Sequence, residues 1–303
     1  MTVHNVSHQQ GIALVQVLII SFILALLGIF INQSVQQQVN VTKQIQNKFT
    51  MRLELEEAET QLFTALLAYS KYPEVNSENP VVKNWNFYGK EFKLTDSTYA
   101  TLTDIRSLAG LNINNAKLIK SIFLQLGVDD VQTEHYISSL LDWIDENDYH
   151  LINGAESAYY RAQGKHYQPR NYYLQSINEA LLIRGAQQVD SEQFQQYFTT
   201  DFVGGFNPLN APEVILHAFI KDDTIANKVI KRRNNGTLTS LDFYRLTGVD
   251  EGEFITFATS NKIRVQLRTV LNGAQLTKQY TLDASPRTYK KPMAFYKVSW
   301  NKL

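Results

Sequence analysis

One uncharged run constrains this chain more than any other feature. Residues 12–31 contain no Asp, Glu, Lys or Arg, and only Gln16 and Ser21 are polar. At about 1.5 Å per residue a helix of that length spans roughly 30 Å, the thickness of a bilayer's hydrocarbon layer. A removable export signal has a shorter apolar region, about 7–15 residues, closed by an A-x-A-like site. No such site follows here, so the run is expected to persist as an anchor. Orientation is not written in charge. The first eleven residues hold no Lys or Arg, and the first base after the run is Lys43.

Helical spacing continues past the apolar run. Val35, Val39, Thr42, Ile45, Phe49, Leu53, Leu62, Leu66 and Tyr69 recur at helical intervals among Gln and Lys, with no Pro or Gly over 35–71. One helix is therefore expected from residue 12 to about residue 70, stopped by Pro73. Its first half suits lipid, and its second half needs a surface on which to rest its stripe.

The texture then changes. Residues 85–88 and 92–111 read as short strands, with partial alternation and β-branched side chains. Helices are expected over 117–126, over 133–144 with Thr133 as N-cap, and over 176–187 with Ser176-x-x-Glu179 as a capping box. Further helices are expected over 191–198, 212–220 with Pro212 at the first position, 224–233 and 240–246. Strands return over 263–271 and 276–282 around Asn272-Gly273, a pair suited to a type I′ turn, and over 294–300. A helical block between two strand groups suggests an insertion into one α+β domain; two sequential domains with an all-β tail are the alternative.

Composition removes several functions. Twenty-nine basic residues balance twenty-nine acidic ones, so no global positive field draws nucleic acid, and the absence of cysteine excludes disulfides and thiolate chemistry. No nucleophile elbow, zinc-protease, P-loop or dinucleotide-binding motif is present, and no enzyme is expected. Residues 207–248 resemble a helix-hairpin-helix module carrying Lys228, Lys231, Arg232 and Arg233. The hairpin has no glycine and brings two acids, Asp222 and Asp223, which disfavours phosphate binding, so a helical packing unit with the basic cluster as a solvated helix end is expected; a membrane-anchored periplasmic DNA-binding protein is the rival reading.

The charge anomaly is local. Residues 121–160 carry eight acids and no Lys or Arg, densest in DWIDENDYHLINGAE. Crowded carboxylates raise one another's pKa unless a cation offsets them. A hard divalent ion such as calcium, which takes six to eight oxygen ligands, would do so. A solvated acidic helix end is the other reading.

In order along the chain, several motifs resemble one family, the minor pseudopilin K of bacterial type II secretion systems. They are Gly11 before Ile12-Ala13-Leu14, similar to a type IV prepilin leader site; DWIDENDYHLINGAESAYY (142–160); SINEALLIRG (176–185); and NPLNAPEVI (207–215). The resemblance implies a type IV pilin-like α+β fold, a long N-terminal helix plus antiparallel sheet, with a large all-helical domain inserted. The expected division is leader 1–11, transmembrane helix 12–31, amphipathic continuation 32–71, β domain 72–111 and 249–303, and inserted domain 112–248. It further implies a structural, non-catalytic protein at the tip of a periplasmic pseudopilus, exporting folded proteins across the outer membrane of a Gram-negative bacterium. It would be anchored in the inner membrane and bound to the minor pseudopilins I and J and to the major pseudopilin filament. A prepilin peptidase would cut between Gly11 and Ile12 and methylate Ile12. Calcium would be bound in the helical domain, with Asp142, Asp145, Asp148 and Glu156 as ligand candidates. Gln16 would be the fifth mature residue, where most pilins carry Glu and the K subunits typically do not.

Overall fold

The computed structural model describes residues 10–74, 76–112, 115–202, 204–285 and 294–300, with side chains from residue 13. The first nine residues of the expected leader lie outside it.

Helix α1 runs unbroken over Gln10–Ala68, 59 residues or about 88 Å. Its apolar first half is exposed along its length, Leu18, Phe22 and Phe30 among the residues that face out, and Gln16 is exposed with them. The second half buries Met51, Leu55, Ala58, Leu62, Ala65 and Leu66, a three-and-four spacing that forms one stripe. Sequence spacing placed Phe49 and Leu53 on the packed stripe, but they are 64% and 51% exposed. Two apolar stripes run along this helix, and the sheet takes only one.

That sheet has the order β1-β2-β5-β6-β7, antiparallel throughout. Its strands are β1 (Phe92–Lys93), β2 (Thr98–Asp104), β5 (Lys262–Leu271), β6 (Ala274–Asp283) and β7 (Ala294–Trp300). A pair of two-residue parallel strands, β3 (Ala109–Gly110) and β4 (Phe198–Thr199), lies apart. Alternation decides the faces. Ala100 and Leu102 of β2, Ile263, Val265 and Leu267 of β5, and Leu276, Tyr280 and Leu282 of β6 bury against α1. Lys278 reaches the same face and pairs with Glu59 at 2.6 Å, both largely shielded. The β5–β6 turn has positive φ at both Asn272 (52°) and Gly273 (79°), as a type I′ hairpin requires.

Strand β2 ends at Asp104 opposite Ile263, so the chain leaves and re-enters the sheet at one end. Between these points lie helices α3 (Ala116–Gln125), α4 (Asp130–Ile144), α5 (Ser157–Ala162), α6 (Ile177–Ala180), α7 (Ser191–Tyr197), α8 (Glu213–Ile220), α9 (Asp223–Asn234) and α10 (Ser240–Thr247). They close a separate core around Phe123, Tyr136, Trp143, Phe194 and Phe198. This is the expected pilin-like fold with a helical insertion, and the sequence-based limits 112 and 248 fall inside the excursion.

The junction is polar and specific. Asp104 is fully buried; its carboxylate accepts from the Asn207 and Asn210 amides at 3.0 and 3.1 Å and from the Arg106 and Ser260 N–H groups. On the outer sheet face Arg264 donates to the Gln195 and Phe198 carbonyls, and burial lowers its pKa to about 10. Lys297 reaches Asp201 at 2.8 Å.

Several local expectations change. Residues 85–88 form only an isolated antiparallel bridge, Tyr88 to Thr103, rather than a full strand; the segment follows a short helix, α2 (Pro80–Asn84), capped by Asn79, and Trp85 and Phe87 are core residues. Residues 92–111 are broken into β1, β2 and β3 rather than continuous. Helix α4 starts a turn before Thr133, because the Asp129 carboxylate accepts the Gln132 N–H at 2.9 Å. Pro212 is the N-cap of α8 rather than its first residue. The Ser176 box is half formed: Ser176 caps the Glu179 N–H, but the Glu179 carboxylate turns inward.

Candidate functional site

The acidic window forms the C-terminal half of α4, the loop over 145–156, and the start of α5. Asp142 and Trp143 are neighbours on α4 and point different ways. Trp143 enters the helical core, meets Tyr160 edge to face at 5.3 Å, and donates its indole N–H to Glu179 at 3.0 Å. Glu179 also accepts from the Arg170 Nε at 2.6 Å and the Gln175 N–H at 3.0 Å. Burial opposes its charge, but these donors outweigh burial and hold its pKa below the usual carboxylate range.

Asp142 faces the loop. It is fully buried, and the Leu151 N–H donates to its two oxygens at 3.0 and 3.2 Å. Burial raises its pKa; that hydrogen bond opposes the rise and Asp145 adds to it. Gly154 lies so close that a β-carbon there would fall 1.9 Å from Asp142 Oδ2, so any other residue would have to displace that carboxylate.

Glu156 is the central group. Its side chain is 4% exposed, and neither carboxylate oxygen has a hydrogen-bond partner. Burial, then Asp142 and Asp145, push its pKa up to about 7; the nearby Ser157 N–H opposes the rise, and Asp148 adds a smaller push. Asp145 accepts the Asn147 N–H and Asp148 accepts the Asn171 amide at 2.9 Å, both near the surface. The four sequence candidates therefore share one neighbourhood and feel one another's charge. Among the described residues no three acidic or imidazole side chains enclose a cation outright. A buried carboxylate with both oxygens unpartnered is nevertheless an arrangement a hard cation satisfies.

The motifs singled out in the sequence meet in space. Trp143 touches Glu179, and the Tyr160 hydroxyl accepts the Arg184 N–H at 3.1 Å. The Arg184 guanidinium donates to the Gly154 carbonyl at 3.1 Å, and Asn207 and Asn210 hold Asp104. Sequence reasoning named Glu179 only as a capping-box residue and did not single out Arg184 or Asp104. The first two stood inside a quoted motif, but nothing in the string tied them to Trp143 and Gly154.

The helix-hairpin-helix likeness dissolves. In the α8–α9 hairpin Lys221 takes the left-handed conformation and Asp222 caps the Ile225 N–H. His217 packs beside Asp223 at 2.7 Å. Of the four bases expected to form a solvated patch, Arg233 is buried, stacks on Tyr88 at 4.1 Å and donates to the Ala211 and Leu209 carbonyls. Arg232 pairs with Asp242 at 2.7 Å. Lys228 and Lys231 stay exposed, so the cluster keeps two of its four bases at the surface without an ion-pair partner among the described residues.

Fold and site together define a class: a pilin-like protein on a membrane-length helix, with a helical domain spliced into its sheet. Comparison with known proteins narrows this. Residues 101–200 match the family described as Type II secretion system (T2SS), protein K. The chain is 28% identical over 191 residues to the type II secretion system protein K of Klebsiella pneumoniae, a match covering 58% of each chain and so less than two thirds of that relative. It is 22% identical over 258 residues to a putative type II secretion system protein K of Escherichia coli (strain K12), covering 77% of this chain and 78% of that one. The crystal structure of the GspK-GspI-GspJ complex from the enterotoxigenic E. coli type 2 secretion system shares the fold. The TM-score is 0.54 at 15% identity, covering 86% of this chain and 99% of the matched chain. These matches bear out the resemblance to type II secretion system protein K.

Proposed function

We propose that this chain is a minor pseudopilin K, a non-catalytic assembly component at the tip of a type II secretion pseudopilus. There it serves the export of folded proteins across the outer membrane. The observation that carries the reading is the helical domain spliced between Asp104 and Lys262 at one end of a pilin-like sheet. A body that wide cannot be covered by a following subunit, so it suits the end of a filament.

The remaining roles follow from the parts. The apolar half of α1 anchors the protein in the inner membrane by one pass, with the bulk in the periplasm. Prepilin peptidase cleaves between Gly11 and Ile12 and methylates Ile12. On assembly the exposed stripe of Val35, Val39, Ile45, Phe49 and Leu53 packs on helices of the major pseudopilin. Gln16 places an amide rather than a carboxylate in hydrocarbon, at lower cost, as suits a subunit with no earlier neighbour whose amine needs neutralising. Because the solved relative is seen in a complex with GspI and GspJ, the corresponding minor pseudopilins are the expected partners here.

Calcium would be held by Asp142, Asp145, Asp148 and Glu156. Its charge would neutralise the cluster and supply the missing partner of Glu156.

Co-purification tests the assembly. Detergent-solubilised chain should retain the I and J subunits of its own system and not a major pseudopilin alone. If I and J elute separately at micromolar concentration, the tip assignment falls. Replacing Gly11 should block processing beside the peptidase; unchanged mobility would remove the pilin reading.

A further inference from the structure

A cavity of 340 Å³ opens beside the acidic loop, lined by parts of α4, α5 and the segments over 163–167 and 182–187. Its charge is the reverse of its surroundings. His135, Lys165 and Arg184 line it and no carboxylate does, although residues 121–160 hold eight acids and no Lys or Arg.

Arg184 is fixed in advance. Its Nη1 donates to the Asn153 and Gly154 carbonyls, its guanidinium lies over the Tyr159 ring at 4.8 Å, and its backbone N–H is held by Tyr160. Those contacts engage one nitrogen and one face. The group is half-exposed rather than sealed, so its other nitrogens are open to a second acceptor. Lys165 and Gln163, both exposed, have no side-chain partner among the described residues. An Arg planted by carbonyls and an aromatic ring keeps its charge without spending its remaining donors, and guanidinium pairs with carboxylate through two parallel bonds. The Tyr159 and Tyr167 rings and the Gln163 amide add an apolar wall and a polar group able to take the body of a ligand. The volume suits a dipeptide or a single sugar ring.

The geometry points to a binding site for a small carboxylate on a hydrogen-bonding body, with Arg184 and Lys165 as its anion partners. A carboxylate of that size comes either from an acidic peptide or from a uronic sugar, and the test separates them.

Ligand-observed NMR on the full chain in detergent, with calcium present, uses four compounds: N-acetyl-glycyl-glutamate, its diamide, glucuronate and glucose. One acid should bind while its neutral counterpart does not, and which acid binds names the source. Arg184→Gln should raise Kd by about tenfold or more. Because Arg184 also supports the Gly154 turn, Lys165→Gln is the second variant; its exposed side chain has no hydrogen-bond or ion-pair partner among the described residues, so it should raise Kd by roughly threefold without changing the melting curve. Binding of neither acid, equal binding of acid and neutral compound, or unchanged affinity in Lys165→Gln would overturn the assignment.

Discussion

Glu156→Gln makes a prediction whose sign depends on the solution. Glu156 is buried, its oxygens have no partner, and its pKa rises from the usual 4.5 to about 7. A carboxylate whose folded pKa lies above its unfolded value binds its proton more tightly when folded. Stability is therefore greatest below about pH 4.5 and falls as pH rises to about 7, after which the loss is complete. A shift of about 2.5 units at 1.36 kcal/mol each is about 3 kcal/mol. Glutamine keeps the shape and removes the charge but leaves its own amide poorly bonded, which returns about 1 kcal/mol. In chelator at pH 8, Glu156→Gln should thus be more stable than the parent by about 2 kcal/mol. In calcium the order should reverse, because the variant loses a ligand. The assay is urea unfolding of the detergent-solubilised chain, followed by tryptophan fluorescence, at pH 5 and pH 8, with chelator and with calcium. If the variant is less stable than the parent in chelator at pH 8, Glu156 is not a buried unpaired charge and the cation reading fails. A parent equally stable at pH 5 and pH 8 in chelator would say the same.

Other changes test the frame around the site. Gly185→Ala puts a β-carbon 2.7 Å from the Tyr136 amide nitrogen and 2.8 Å from the Gln132 carbonyl, at a φ of +90°; it should cost about 2–5 kcal/mol in thermal unfolding. Asp104→Ala strands buried donors from Asn207, Asn210, Arg106 and Ser260, and should cost about 3–5 kcal/mol, with hydrogen exchange rising first where the helical domain joins the sheet. A fragment starting at residue 72 loses Met51, Leu55, Leu62 and Leu66 from the sheet's core, about 6–12 kcal/mol of burial, comparable with a whole domain's stability. Its sheet should lose protection from hydrogen exchange while the separate helical core still melts, whereas one starting near residue 34 should keep both; a sheet that stays protected in the shorter fragment would refute the packing described here.

The sequence by itself determined the parts governed by local rules. An uncharged run of twenty residues favours a helix of membrane length, Asn272-Gly273 favours a tight turn, and eight acids without a base create a field wherever they fold. The ordered motifs carried the resemblance to protein K because each is a short contiguous string, legible without its partners. Tertiary structure decided what depends on distant partners. Which of two apolar stripes on α1 is covered was set by a sheet contributed from residues 92–104 and 262–300, so Phe49 and Leu53 lost to Met51 and Leu55. Asp129 displaced Thr133 as a cap because the helix could extend over a core that spacing does not reveal. Arg233 looked like solvent-facing charge until Tyr88 and the Ala211 carbonyl, far along the chain, enclosed it. The acids were legible as a cluster. That Glu156 alone among them sits buried without a donor is a fact of packing, and packing is settled by residues remote in sequence.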